Sequence, residues 1–199
     1  MGAQPSRFKP DPGKAIKPVL LHLEGWNGAR AQLRALAVAW YSANLQGRSF
    51  PNDDMGVHVQ FASEGKNVAF STSGNLRDGW RAEMVRALPE LIKRAVKVAQ
   101  SLPDDRRIRD TRMFHTLVAP LSVSGKVFVE KITLRETRLD HPGNKHKFYD
   151  IAALEIKDSP VLSGLRGCDQ SRNPLPTGTG LSEISVSDLA AAIKRQPDR

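Results

Sequence analysis

His115, Lys131, Thr133, Arg135 and Tyr149 are the residues of this sequence whose types could do chemistry together. In residues 127–135, Val127, Val129, Ile132 and Leu134 alternate with Lys126, Phe128, Glu130, Lys131, Thr133 and Arg135, with a phase slip at Glu130 and Lys131. Lys131, Thr133 and Arg135 then share one side of a strand, opposite Ile132 and Leu134. His115 lies near the start of the preceding strand-like run, and Tyr149 lies early in the following one. A histidine titrating near neutral pH, two cations, a hydroxyl and a phenol are the inventory for metal-free RNA cleavage. In that reaction the 2′-hydroxyl loses a proton, the 5′-oxygen gains one, and the phosphorane between them needs cationic donors. His115 would serve either proton role. Lys131 and Arg135 would hold the phosphate, Thr133 would orient it, and Tyr149 would stack a base or donate a proton. All of this requires the five to converge on one face. Taken singly, a histidine at a strand start is ordinarily a packed or solvated side chain, and alternating charge describes almost any half-exposed strand. Tyr149 beside Phe148 also reads as a core edge.

A second set of candidates is electrostatic. The chain has 30 Lys and Arg against 21 Asp and Glu, a net charge of +9 over 199 residues, so polyanions are the expected partners. Residues 77–112 hold 10 Lys and Arg against 6 Asp and Glu. Arg86, Lys93, Arg94, Lys97, Arg107, Arg109, Arg112 and the later Lys147 could track a phosphate backbone. The competing reading is a solvated helix face with i,i+4 pairs such as Glu90 and Arg94.

These residues need elements to position them. With 40% hydrophobic and 26% charged residues the chain can form an ordinary core. Residues 1–17, with Pro5, Pro10 and Pro12, read as a flexible lead-in. Asn27 is positioned to cap a helix running to Gln46, with Leu33, Leu36, Ala37 and Trp40 at helical spacing and Gly47 as the stop. Alternation in residues 57–61 and a second apolar run at 68–70, about a turn at Glu64-Gly65-Lys66, predict a hairpin. Between Trp80 and Ala99, Met84, Leu88, Leu91, Ile92, Ala95 and Val96 fall on one helical face. Pro89 is tolerated in a first turn and not in a helix interior, so a short helix to Ala87 should precede a main helix starting near Pro89. Residues 114–121, 127–135 and 148–156 read as an antiparallel meander, and the polar residues 140–146 as a loop between its second and third strands. The Gly- and Pro-rich residues 158–199 read as a tail, with a capping box at Ser185 and Asp188 opening a short terminal helix. The expected organisation is a lead-in over 1–17, one α+β domain over 18–157 and the tail.

Several chemistries lose their support. The sequence has no G-x-x-x-x-G-K-[ST] loop, no G-x-G-x-x-G, no H-E-x-x-H and no G-x-S-x-G. A single cysteine, Cys168, excludes an internal disulfide framework and a cysteine-cluster zinc site. His141 and His146 are flanked by Asp140 and Asp150 and could form a metal site, but Pro142 and Gly143 leave its geometry undefined. The expectation is therefore no metal and no cofactor. No stretch reaches the roughly 18 apolar residues that span a bilayer, and the start lacks the apolar run of a secretion signal. A cytoplasmic protein with no membrane partner is expected.

Six segments in order carry a family resemblance: FPNDDMG at 50–56, VHVQF at 57–61, ALPELI at 87–92, HTLVAPLSVSGK at 115–126, KITLRE at 131–136 and KFYD at 147–150. Over residues 50–157 the chain resembles the large polyvalent protein-associated domains of phages. These look related to the phage nucleases of the barnase, EndoU, colicin and RelE-like superfamily. The Ala-rich helix and the Gly/Pro tail lie outside the resemblance. It implies helices packed on an antiparallel meander with a metal-free RNA-cleaving site on the open sheet face. His115 would match the first-strand histidine, Lys131 and Arg135 the second-strand basic positions, and Tyr149 the third strand. A shared fold does not guarantee activity. Two functions follow as expectations: a phage- or element-derived ribonuclease acting on RNA, tRNA among its substrates, with an acidic immunity or host protein as a further partner, or a non-catalytic basic module that binds nucleic acid or an acidic host protein, for example as a counter-defence factor. An enzyme needs His115, Lys131 and Arg135 on one accessible face within reach of one phosphate.

Overall fold

The computed structural model describes residues 11, 13–69, 79–103, 110–124, 126–138, 146–155 and 183–194. Its centre is the expected meander: β6 (Thr111–Val123), β7 (Lys126–Thr137) and β8 (His146–Glu155) pair antiparallel in chain order. Around it the sheet is mixed and curled. β2 (Val19–Leu21) pairs in parallel with the last residues of β6, while β5 (Val96–Ser101) pairs antiparallel with its first half. On the other side β4 (Val57–Gln60) joins β8 in parallel and carries β3 (Ser49–Asn52) at the edge. The α+β class therefore holds, with a mixed sheet of seven strands among the described residues in place of a bare antiparallel meander.

The first long helix, α1 (Arg30–Asn44), begins after Ala29, two residues later than the capping role given to Asn27 predicts. The Gln32 carboxamide accepts the Ala29 N–H at 2.9 Å. Gly28, at φ +140°, makes room for this, since a Cβ there would lie 2.4 Å from Gln32 Oε1. Gly47, at φ +82°, follows the helix as expected and donates its N–H to Phe61 O.

The predicted hairpin needs correction. Residues 57–60 pair backward with β3, and residues 63–69 form the helix α2 (Ser63–Ala69). Gly65 serves close approach, not a strand turn: a Cβ on it would meet Phe148 O at 2.3 Å. The β3–β4 hairpin is anchored by Asn52, whose Nδ2 donates to Ile92 O (2.6 Å) and Ala95 O (2.8 Å) while its Oδ1 accepts the Met55 N–H.

The second helical run is also shorter than its apolar pattern suggests. α3 (Gly79–Glu83) and a 3-10 turn (Met84–Ala87) lead into α4 (Leu88–Arg94), with Pro89 in its first turn as expected. The chain then turns extended at Ala95 and residues 96–101 become β5. Val96 and Val98 suit the pleated surface of a strand, and the ladder to β6 overrides the helical spacing.

One face of the sheet packs on the helices. Leu117, Ile132, Leu134 and Phe148 meet Leu33, Ala37 and Tyr41 of α1 and Leu88, Leu91 and Ile92 of α4. Phe61 stacks on Phe148 with ring centroids 5.0 Å apart. The Tyr41 hydroxyl donates to Ala62 O, and burial pushes its pKa upward. Among the described residues the opposite face is covered over one half only. There Val96, Val118 and Val129 pack on Ile16, Ile184, Val186 and Leu189. Ile16 belongs to β1 (Ala15–Ile16), which pairs with β9 (Ile184–Ser185); α5 (Val186–Lys194) follows at once. Segments read as lead-in and tail thus meet on the sheet. Ser185 Oγ accepts the Ser187 N–H at the start of α5.

Candidate nucleic-acid interface

The ladder decides which side chains share a face. β7 alternates without a slip from Glu130 to Glu136: Glu130, Ile132, Leu134 and Glu136 are buried, and Lys131, Thr133 and Arg135 are half-buried on the other side. The expected grouping of those three holds, but the phase slip at Glu130 and Lys131 is absent. Glu130 instead points into the helical side with no solvent exposure and no hydrogen-bond partner on either carboxylate oxygen. Burial raises its pKa to about 8, and Arg81 pulls in the opposite direction.

Directly paired residues on neighbouring strands point the same way. One row across the meander is Phe114, Arg135 and Lys147; the next includes Thr116 and Thr133; the third includes Val118 and Lys131. A register shift beside Thr133 leaves Tyr149 as the extra residue of β8, and its ring reaches Phe114 at a centroid distance of 5.2 Å. Among the described residues, the half of this face not covered by α5 presents Arg135 and Lys147 on the same face as the aromatic pair, with Lys131 at its border in the row of the covered Val118. Arg135 is also held by Glu64, with Nη1 to Oε2 at 2.7 Å.

His115 is not part of this group. It pairs in register with Leu134 and shares the opposite, helical face. It is 4% exposed, and its Nε2 lies 2.8 Å from Glu136 Oε2. The five residues expected to converge split into four on the open face and one in the interior. A phosphate held by Lys131 and Arg135 is out of reach of the His115 imidazole, because the sheet lies between them.

The electrostatic set is also divided. Arg86 pairs with Glu24 and stacks over Trp26 at 4.7 Å, which fixes the segment before α1 onto the helices. Lys93 and Arg94 are exposed at the end of α4, on the helical layer, and Arg94 is bound to Glu90. Lys97 is half-buried in β5, with Nζ donating to Gln100 Oε1; desolvation lowers its pKa, against the pull of Glu136 and Asp54. Arg112 is exposed, with Nη1 3.5 Å from Glu136 Oε1. Arg107 and Arg109, with His141 and all of the loop expected over 140–146 except His146, lie outside the described residues. Of the described members of this set, Lys147 alone stands in the row of Arg135 on the open face.

Sequence reasoning missed Phe114 as a partner of Tyr149. Strict alternation places Phe114 with Thr116 and against His115, and that alternation was the available signal. It also missed Glu136, one residue beyond the strand read over 127–135, which is 7% exposed between His115 and Arg112.

No helix of the described residues is long and apolar enough to cross a membrane. Comparison with curated proteins and with solved structures finds no match. The family model of large polyvalent protein-associated domain 3 matches residues 28–149, more than half of the chain. The match takes in α1, which the sequence resemblance leaves out, and runs through the meander to Tyr149. The chain belongs to the large polyvalent protein-associated domain 3 family.

Proposed function

We propose that this protein is a nucleic-acid-binding module of a phage-type polyvalent protein, and that the open half of the β6–β7–β8 face receives single-stranded RNA. The observation that carries this reading is the shared face itself: Lys131, Arg135 and Lys147 lie on the same face as the Phe114–Tyr149 ring pair, across three adjacent strands. Cations that follow the phosphates beside aromatic rings that accept stacked bases are what single-strand binding needs, whatever the base sequence. The net charge of +9 supports a polyanionic partner. The resemblance to phage nucleases supports the same ligand class.

Cleavage is the finer reading and has weaker support. It needs a group on the open face that takes the 2′-hydroxyl proton, and the His115 imidazole faces the other way, bound to Glu136. Thr133 and Tyr149 offer hydroxyls there, which can donate hydrogen bonds to a phosphate oxygen.

The test is fluorescence anisotropy with a labelled single-stranded RNA oligomer, alongside a gel that reports whether the RNA stays intact in a chelator. Binding that weakens in Lys131→Ala and Arg135→Ala, is unchanged in His58→Ala, and leaves the RNA whole is the expected result. Absence of binding at low salt overturns the proposal and turns attention to an acidic protein partner. Chelator-resistant cleavage lost in His115→Ala restores the ribonuclease reading.

A further inference from the structure

We propose that His115, Glu136 and His146, on the helical face of the sheet, form a three-ligand site for a divalent first-row metal ion of the zinc class. This site is independent of the nucleic-acid reading, since it lies on the other side of the meander. One donor atom from each residue lies within 4.8 Å of the other two. In a four-coordinate zinc site with bonds of 2.0–2.1 Å, donors stand about 3.3 Å apart, so a small closure of the group suffices.

The ladder explains why the three meet. Glu136 is paired directly with His146 across β7 and β8, and His115 sits one row away on β6, opposite Leu134. All three side chains project to the same face, and the rings of His115 and His146 have centroids 5.6 Å apart. The donor chemistry is two imidazoles and one carboxylate, the combination that binds zinc with a coordination position to spare. Strands hold such ligands more rigidly than loops.

The surroundings favour one metal-facing carboxylate oxygen. Arg112 Nη1 approaches Glu136 Oε1, whereas Oε2 faces His115. A guanidinium on the outer oxygen orients the carboxylate and leaves the inner one for the ion. His146 is half-buried, whereas the other two ligands are buried. His146 appeared in the sequence only beside His141 in a loop of undefined geometry. Its partners, His115 and Glu136, are 31 and 10 residues away in the chain and are brought to it by strand pairing.

The experiment uses the full chain stripped with chelator. Zn2+ alone is titrated calorimetrically, and Co2+ is added separately to read ligand-field absorption. The expected result is one equivalent of Zn2+ and a four- or five-coordinate Co2+ spectrum. His146→Ala, at the half-exposed ligand, should weaken Zn2+ binding by more than about tenfold while retaining the circular dichroism of the parent. His115→Asn should do the same, and His58→Ala should not. A parent chain that binds no Zn2+ overturns the proposal. So does Zn2+ binding that persists in His146→Ala, because the ion is then held elsewhere, at Cys168 for example.

Discussion

Phe114 of β6 and Tyr149 of β8 bring their rings to a centroid distance of 5.2 Å across the intervening β7, on the face that also carries Lys131 and Arg135. The contact depends on the register shift beside Thr133, which makes Tyr149 the extra residue of its strand. If a base stacks here, removing one ring costs about 1–3 kcal/mol of binding free energy. Tyr149→Ala should therefore weaken RNA binding by roughly 5- to 150-fold in the anisotropy assay, and Tyr149→Phe should retain the parent affinity. Equal loss in both variants would mean that the hydroxyl, not the ring, makes the contact.

Salt dependence reports the cations separately from the rings. Three phosphate contacts, from Lys131, Arg135 and Lys147, give a slope of log K against log salt of about −2 for a single strand. Each alanine substitution among them should reduce that slope by roughly 0.7, whereas Tyr149→Ala should leave it unchanged. Glu64 holds Arg135 at 2.7 Å and opposes an approaching phosphate. Glu64→Gln should raise affinity at low salt, and a fall would show that Glu64 positions Arg135 productively.

Asn52 is the polar rivet of the β3–β4 hairpin. Its amide donates to the carbonyls of Ile92 and Ala95, at the end of α4, where the helix has no internal donors left. Asn52 is buried, so Asn52→Ala strands those two carbonyls, at a cost of about 2–4 kcal/mol. For a chain of this size that lowers the thermal midpoint by several degrees. A midpoint unchanged within a degree would mean that solvent replaces the amide.

The meander was legible because β6, β7 and β8 announce themselves by β-branched residues and alternation, and no other pattern competes there. Residues 95–101 were not, since Ala95 and Val96 continue the apolar spacing of α4 and only pairing with β6 decides the matter. Gly65 misled for a related reason. A glycine between two apolar runs reads as a turn, and the close approach of Phe148 O that requires it is a long-range fact. The grouping of Lys131, Thr133 and Arg135 could be read from one strand alone. The face of His115 could not, because its side relative to them is set by the register between two strands. An apolar residue at Leu134 opposite His115 becomes meaningful only once that register is known.

Gly65 also yields a prediction in which two effects oppose each other. Alanine is better than glycine in a helix by about 1 kcal/mol, which favours Gly65→Ala in α2. The added Cβ, however, would lie 2.3 Å from Phe148 O and 2.8 Å from Phe148 Cδ1. The oxygen belongs to the backbone of a paired strand and cannot move aside cheaply, so overpacking of about 1–3 kcal/mol outweighs the helical gain. Gly65→Ala should lower stability in urea unfolding. A stabilised variant would mean that α2 shifts away from β8 without cost.

Glu130 should make stability fall as pH rises. Its carboxyl is fully buried without a hydrogen-bond partner, and burial lifts its pKa from 4.5 to about 8 against the pull of Arg81. Below pH 4.5 the group is protonated in the folded and unfolded chains alike, and its favourable contribution is complete. Between that point and about 8 the unfolded chain has released the proton while the folded chain keeps it. Folding then takes up a proton, and stability from this group declines by as much as about 1.4 kcal/mol per pH unit. Above about 8 both states are ionised and the decline ends. Glu130→Gln keeps the shape of the protonated carboxyl and cannot ionise. The difference in urea unfolding free energy between variant and parent should therefore grow in the variant's favour from pH 5.5 to 7.5. Parallel curves over that window would show that the folded chain already holds the carboxylate ionised, with Arg81 as its counter-charge.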